Sequence, residues 1–153
     1  QFDYASIIQD MPAYKTAQTE LQSMQDKFKK DLEDMQKELQ TKYEKFQQEV
    51  NDKTPENIRT RRQQELTELS QKLDQARADD EKALQEASSQ KMQPIITKVM
   101  DAINAVAKEG NYVYIMDSNA AQSAGIFINP ALSENVTAKI RTKLGLSASS
   151  AKK

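Results

Sequence analysis

From Ala17 to Val50 the apolar residues obey one rule. Ala17, Leu21, Met24, Phe28, Leu32, Met35, Leu39, Tyr43, Phe46 and Val50 follow one another in repeated steps of 4, 3 and 4, and no apolar residue in this stretch falls off the stripe. An eleven-residue repeat, about 3.67 residues per turn, predicts a nearly straight or slightly right-handed helix rather than a left-handed heptad coil. Tyr14 to Asp52 contains neither Gly nor Pro, so the helix should run about 60 Å at 1.5 Å per residue. At Asn51-Asp52-Lys53-Thr54-Pro55-Glu56 one helix stops and another starts. Thr54 reads as an N-cap, Pro55 as the first helical position and Glu56 as a first-turn acid. A turn this short folds the helices back antiparallel.

The second helix is expected from Pro55 to about Glu109, with Gly110 as its C-cap. Its apolar positions mirror the first. Pairs whose numbers sum to 108 match Val50 with Ile58, Leu39 with Leu69, Met35 with Leu73, Leu32 with Ala76, Met24 with Leu84 and Leu21 with Ala87. One register with so many matches predicts a hairpin closed along a narrow seam. Phe46 faces Arg62 and Phe28 faces Asp80, polar groups expected to reach solvent beside the rings. From Met92 the stripe widens. Ile95, Ile96, Val99, Met100, Ala102, Ile103, Val106 and Ala107 cover more than half the circumference, too wide for one partner helix. Pro94 should kink the helix there.

Beyond Gly110 the period falls toward two. Asn111 to Met116 is aromatic and β-branched and predicts a strand, Asp117-Ser118-Asn119 a turn, and Gly125 to Ile128 a second strand stopped by Asn129-Pro130. Ser133 to Val136 opens a short helix ended by Gly145, and Ser147 to Lys153 reads as a disordered tail. Phe2 reads as the remnant of an edge strand. Two strands and short helices do not make a stable body alone. Self-association through the strands would close the sheet edges and extend the core. The predicted architecture is mainly α with a small β body. A helical-hairpin arm over 15–96 projects from an oligomerisation body built from 1–14 and 97–153, with 147–153 as its tail. Phe2, Tyr112, Tyr114, Ile115, Ile126, Phe127 and Ile128 are its candidate interface.

Composition narrows the chemistry. The chain has 153 residues, only 37% of them hydrophobic, 29% charged, with 3 Gly and no Cys, His or Trp. Zinc fingers, thiol catalysis and His-based acid–base work are excluded. Gly110, Gly125 and Gly145 lie too far apart for a phosphate-cradling loop, and no apolar run is long enough to span a membrane. Catalytic residues, metal ligands and cofactor sites are all expected to be absent. The 22 basic and 23 acidic side chains give a net charge of -1. By region the charge is -3 over 1–53, -1 over 54–110 and +3 over 111–153. No basic stripe with interleaved aromatics appears, which argues against nucleic acid. Arg59, Arg61 and Arg62 beside the hairpin turn could meet an anionic client or a membrane surface, against the plainer reading of a solvated helix face. Asp79-Asp80-Glu81 point in different directions on a helix and should not converge on a cation. Met24 and Met35 belong to the seam, Tyr112 and Tyr114 to strand packing, and the Asn135-Val136-Thr137 sequon reads as structural, with Asn135 in a helix's first turn. The chain opens on Gln1 rather than Met, which reads as a processed or trimmed N-terminus, a removed export signal being one explanation.

Three segments carry a family resemblance. Phe2-Asp3 followed by Ile7-Ile8-Gln9-Asp10-Met11-Pro12-Ala13-Tyr14-Lys15 forms the opening. The Lys/Gln/Glu-rich hairpin follows. Tyr114-Ile115-Met116-Asp117, Ile126-Phe127-Ile128, Asn135 to Ile140 and Leu144-Gly145 form the close. In this order they resemble the Skp/OmpH family of periplasmic outer-membrane-protein chaperones. The resemblance implies a homotrimer whose short strands form one small barrel, with arms that enclose unfolded outer-membrane proteins without ATP. It implies a periplasmic holdase in outer-membrane biogenesis and no enzyme. The best-known members are strongly basic and their first strand begins before the position of Phe2, whereas this chain has a pI of about 5.6. The rival readings are a prefoldin-like holdase, which places strands between its helices, and a structural coiled-coil spacer or adaptor without client binding.

Overall fold

The computed structural model describes residues 1–147. Five helices follow in order among them: α1 (Tyr4–Asp10), α2 (Pro12–Glu49), α3 (Glu56–Glu109), α4 (Ser118–Ser123) and α5 (Thr137–Lys143). The chain divides into two compact units, a hairpin unit over Glu20–Ala87 and a body unit of Gln1–Thr19 with the chain from Ser88 onward. Helices α2 and α3 contribute to both.

In the hairpin unit the 4-3-4 stripe is the face that loses water. Leu21, Met24, Phe28, Leu32, Met35, Leu39, Phe46 and Val50 are half-buried, and Tyr43 alone leaves the stripe's protection. On α3, Leu66 and Leu73 are buried and Leu69, Ala76, Leu84 and Ala87 half-buried. Leu39 and Tyr43 share a groove with Leu66 and Leu73, and Phe28 and Leu32 share another with Asp80 and Leu84. That is the antiparallel register read from the sequence. Phe46 lies beside Arg62, as the same register requires.

The turn differs from the expectation in one detail. Thr54 does not cap α3: its Oγ1 accepts from the Asn51 amide at 3.0 Å, while Asn51 Oδ1 accepts from the Lys53 amide at 2.9 Å. The Pro55 carbonyl takes the first helical amides, those of Ile58 and Arg59, each at 3.0 Å. The six-residue reversal from Val50 to Pro55 must pair its own amides, so the hydroxyl goes to the turn and the helix begins one residue later. Pro94 lies inside α3, which continues as one helix through it to Glu109 as expected. The wide apolar face around Pro94 is packed, and this offsets the backbone bond that proline removes.

The body core is built from α1, the first turns of α2, the last turns of α3 and α5. Phe2, Ile7, Ile8, Met11, Ala17, Ile95, Val99, Ala102, Ile103, Val106, Val136 and Ile140 form one buried cluster. Helix α1 was not foreseen. Asp3 caps it by accepting from the Ser6 amide at 3.0 Å, and Met11 breaks it just before Pro12 opens α2.

The two predicted strands do not form within this chain. The bridge in the described residues is isolated and parallel, between Phe2 and Asp117. A strand exists only through a neighbour's hydrogen bonds, and here the amides have other uses. The Tyr112 amide closes α3 on the Ala107 carbonyl at 3.0 Å, and the Ile126 amide closes α4 on the Ala121 carbonyl at 2.8 Å. The predicted turn at Asp117 is instead the N-cap of α4, with Asp117 Oδ2 accepting from the Ala120 amide at 3.0 Å. Phe2 keeps one strand-like pairing, its parallel bridge to Asp117, but lies inside the core. Its amide donates to the Met116 carbonyl and its carbonyl accepts from the Ser118 amide, each at 2.9 Å. On the other side the Gln1 carbonyl accepts from Val136 at 2.9 Å and the Asp3 amide donates to Thr137 Oγ1 at 3.0 Å. The first residues are thus laced between two segments, and the Phe2 ring is 5% exposed. Helix α5 starts later than expected, so Asn135 lies before it, its Oδ1 accepting from the Thr137 amide at 3.0 Å.

The end of α3 also changes hands. The left-handed residue is Asn111, with φ of 52°, not Gly110. Gly110 is needed for space: a Cβ there would stand 2.1 Å from the Tyr112 ring. Gly145 ends α5 as foreseen, at φ of 72°, with the Leu146 amide returning to the Arg141 carbonyl at 2.9 Å. The tail read as disordered lies, from residue 148, outside the described residues.

Candidate functional surfaces

In the body unit the chain between α3 and α5 carries its apolar side chains outward. Val113 is 84% exposed, Tyr114 77%, Phe127 85% and Leu132 86%, with Ile126 at 46%. Isolated exposed apolar residues are ordinary, but several on neighbouring stretches of one irregular segment mark a surface for a partner. The candidate interface residues therefore separate into groups. Tyr114, Ile126 and Phe127 face solvent. Tyr112, Ile115 and Ile128 are half-buried, and Ile115 packs on the chain's own core. Phe2 is spent inside that core and presents no surface. Val113 and Leu132 were missed by the sequence reading; strand alternation placed Val113 opposite Tyr112 and Tyr114, and Leu132 lay in a loop without a period.

Two polar clusters tie the body unit together, the first of them holding this segment. In the first, Lys139 Nζ sits 2.6 Å from Glu134 Oε1, donates to the Tyr112 hydroxyl at 3.0 Å and lies 5.5 Å from the Tyr112 ring centroid. The Tyr112 hydroxyl donates in turn to Glu134 Oε2. The Lys139 hydrogen bond, then that of Tyr112, holds the Glu134 carboxyl below its ordinary value. The Glu134 hydrogen bond, then that of Tyr112, raises Lys139 above its own. All three side chains are reachable by water, so the cluster acts as a surface tie between the chain leaving α3 and the chain entering α5.

The second cluster is buried. Arg141 on α5 is 2% exposed. Its Nη2 donates to Asp10 Oδ2 at 2.7 Å, its Nε to the Ser147 carbonyl at 2.6 Å and its Nη1 to the Ser6 carbonyl at 3.4 Å. One guanidinium thus ties the C-terminal end of α1 to α5 and to the chain following α5. This is a structural role that the sequence reading did not assign. The signal for it was Asp10, an acid at the end of a helix where the dipole disfavours one, which calls for a cation nearby.

In the hairpin unit Arg59, Arg61 and Arg62 are all exposed at the start of α3. Arg62 lines a groove of about 140 Å³ with Lys42, Lys45, Phe46, Glu49 and Glu65. Of Asp79, Asp80 and Glu81, Asp79 Oδ1 accepts from Gln75 at 2.9 Å, while Asp80 and Glu81 both line the groove beside Phe28 and Arg77.

No helix among the described residues is long and apolar enough to cross a membrane. A comparison with curated proteins returns no match. The family model for outer membrane protein (OmpH-like) matches residues 2–144. That span takes in the α1 opening, the whole hairpin and the close through α5, so the chain belongs to the OmpH-like outer membrane protein family.

Proposed function

We propose that this protein is an ATP-independent periplasmic holdase that keeps outer-membrane proteins unfolded and unaggregated in transit. The observation that carries the reading is the family match over nearly the whole chain. In this reading copies assemble, as a homotrimer, through Tyr114, Ile126 and Phe127, with Val113 and Leu132 added to that surface. The hairpin units of the copies then bound the space that holds the client. Exposed apolar groups and the backbone of residues 113–115, which makes no hydrogen bond among the described residues, support such assembly, because a neighbouring copy's strand would satisfy both. Many weak contacts acting together supply the affinity. The arginines at the turn, Arg59, Arg61 and Arg62, are proposed as client contacts of small individual weight, since exposed charges contribute only about 0–1 kcal/mol each.

The test joins mass to activity. Wild type should show a solution mass near three times 17.4 kDa and suppress aggregation of an unfolded β-barrel protein. Phe127→Asp changes a side chain that is 85% exposed, so the lone chain should keep its helical content. It should lose the assembly and, with it, roughly a hundredfold in capture. A Phe127→Asp monomer that protects clients as well as wild type would remove the enclosure mechanism. A wild-type oligomer with no protective effect would favour the spacer or adaptor instead.

A further inference from the structure

Grooves open between α2 and α3 within the hairpin unit, and their linings differ in charge. The one beside Phe46 is rimmed by Lys42, Lys45, Arg62, Glu49 and Glu65. The one beside Phe28 is rimmed by Asp26, Lys29, Glu33, Arg77, Asp80 and Glu81. Between them lies a groove of about 520 Å³ whose lining holds no Lys, Arg, Asp or Glu at all, in a chain where 29% of residues are charged. Its apolar part is Leu39, Leu66 and Leu73 with Tyr43, which is 49% exposed.

Several hairpin glutamines spend their amides within their own helix, Gln22 on Asp26, Gln64 on Glu68 and Gln75 on Asp79, and Gln47 on the Tyr43 hydroxyl. In the groove only Gln40 does so, on Glu44. Gln36, Gln63 and Gln71 have Gln40, Thr67 and Gln75 at the fourth position, which leaves no acid to take their amides. Each offers two donors and an acceptor, the complement of a peptide group.

We propose that this groove docks a short, extended, uncharged polypeptide segment, with the free carboxamides of Gln36, Gln63 and Gln71 bonding its main chain. The inference rests on the holdase reading and names the segment of client that this surface takes. A β-barrel strand alternates side chains from face to face, so its apolar face can lie on Tyr43 and the half-buried Leu39, above the buried Leu66 and Leu73, while its backbone meets the amides. A charged client side chain would lose water here and find no counter-ion. From Gln36 to Tyr43 the groove runs about 10 Å along α2, the length of about three extended residues. Such a contact is weak alone and gains from repetition across copies.

The experiment uses the full chain with a photoreactive phenylalanine analogue at Gln40, in the neutral groove, or at Gln25, in the charged one. The probe is a ten-residue peptide alternating Val or Tyr with Thr or Gln, and a second peptide with Lys and Asp replacing the Thr and Gln. The neutral peptide should cross-link strongly at Gln40 and weakly at Gln25, and the charged one weakly at both. Gln36→Glu with Gln71→Glu should lower the Gln40 cross-link roughly tenfold with unchanged melting. Equal labelling at both positions, equal labelling by both peptides, or cross-linking only to a second copy of the chain would overturn the proposal. Aggregation suppression is measured alongside. Protection of a β-barrel client without a Gln40 cross-link removes the groove and leaves the holdase. A Gln40 cross-link without protection keeps the groove and removes the holdase.

Discussion

The body unit holds a fully enclosed core, with Ile7, Val99, Val136 and Ile140 at 0–1% exposure, although Val113, Tyr114, Phe127 and Leu132 stay outside it. The hairpin unit buries only Leu66 and Leu73 and holds the rest of its stripe half-wet. The helices are continuous from one unit to the other, so helix formation is not the difference. What differs is the number of sides from which a helix is covered. In the hairpin each helix has one partner, and one partner covers a stripe. In the body Ile95, Val99, Ala102, Ile103 and Val106 of α3 share one buried cluster with residues of α1, the start of α2 and α5, while Met100 stays 47% exposed. Stability should therefore be concentrated in the body. The hairpin should be compliant, with its surface free for weak and adaptable contacts.

The largest effects should come from cutting the same kind of group out of each unit. Ile140→Ala empties a fully enclosed site and should cost about 3–4 kcal/mol, whereas Leu73→Ala, beside an open groove that can take in water, should cost about 1–2 kcal/mol. Urea unfolding of the two variants gives the comparison directly, and equal losses would break the contrast. The next effect belongs to the buried guanidinium. Arg141→Ala removes the guanidinium shared by Asp10 and the Ser6 and Ser147 carbonyls and should cost about 2–3 kcal/mol. That is less than a sealed ion pair would lose, because the Asp10 side chain is 39% exposed. Amide exchange should then accelerate across α1 and α5 while that of residues 20–87 stays unchanged.

A smaller effect is expected at the end of α3. Gly110→Ala puts a methyl into the Tyr112 ring, so the ring must move and its hydroxyl must leave Glu134 and Lys139. About 1 kcal/mol is expected, with loss of the Tyr112–Lys139 contact as the marker in a nuclear magnetic resonance spectrum. The smallest effect is electrostatic. The folded-state value of Glu134 lies below its unfolded one, so its contribution is complete above the ordinary carboxylate range. That contribution is lost as pH falls through the depressed folded value. Lys139 is raised, so its contribution is complete below the ordinary lysine value and fades only in strong alkali. Between these limits the tie should be flat with pH. Glu134→Gln should abolish the acid-side loss in a melting-temperature series by lowering neutral-pH stability slightly, to the level that wild type reaches in acid.

How far the sequence could be read followed the same division. The seam was legible because it depends on two local quantities, the helical period and the length of one turn. The 4-3-4 steps fixed which residues lose water, and the sum of 108 fixed their register. The body was legible only as a demand. The wide face from Met92 to Ala107 required a cover, but nothing local told that α1 would provide part of it. Ile7 and Ile8 entered only through a family motif, and the period of Tyr4, Ile7, Ile8 and Met11 is the helical signal that was available. Among candidate functional residues the exposed Tyr114, Ile126 and Phe127 were named in advance. Phe2 was placed at the wrong depth, because its burial depends on segments more than a hundred residues away. The neutral groove was hidden for a related reason. Gln36 and Gln71 look like any other exposed glutamine until the hairpin sets them around the same leucines.

What the sequence determined by itself is thus the long helices, their reversal at Asn51 to Pro55, the hairpin register and the family. These follow from periodicity, capping chemistry and motif order, which act over a few residues at a time. The tertiary structure alone decided the rest. It laced Gln1 to Asp3 between Met116–Ser118 and Glu134–Thr137. It also assigned the left-handed position to Asn111, spent the Thr54 hydroxyl on the turn and buried Arg141 against Asp10. Strands were withheld from residues 112–116 and 126–128 because a β-strand is made by its partner. Within this chain the amides of Tyr112 and Ile126 had already been taken by the helices they close.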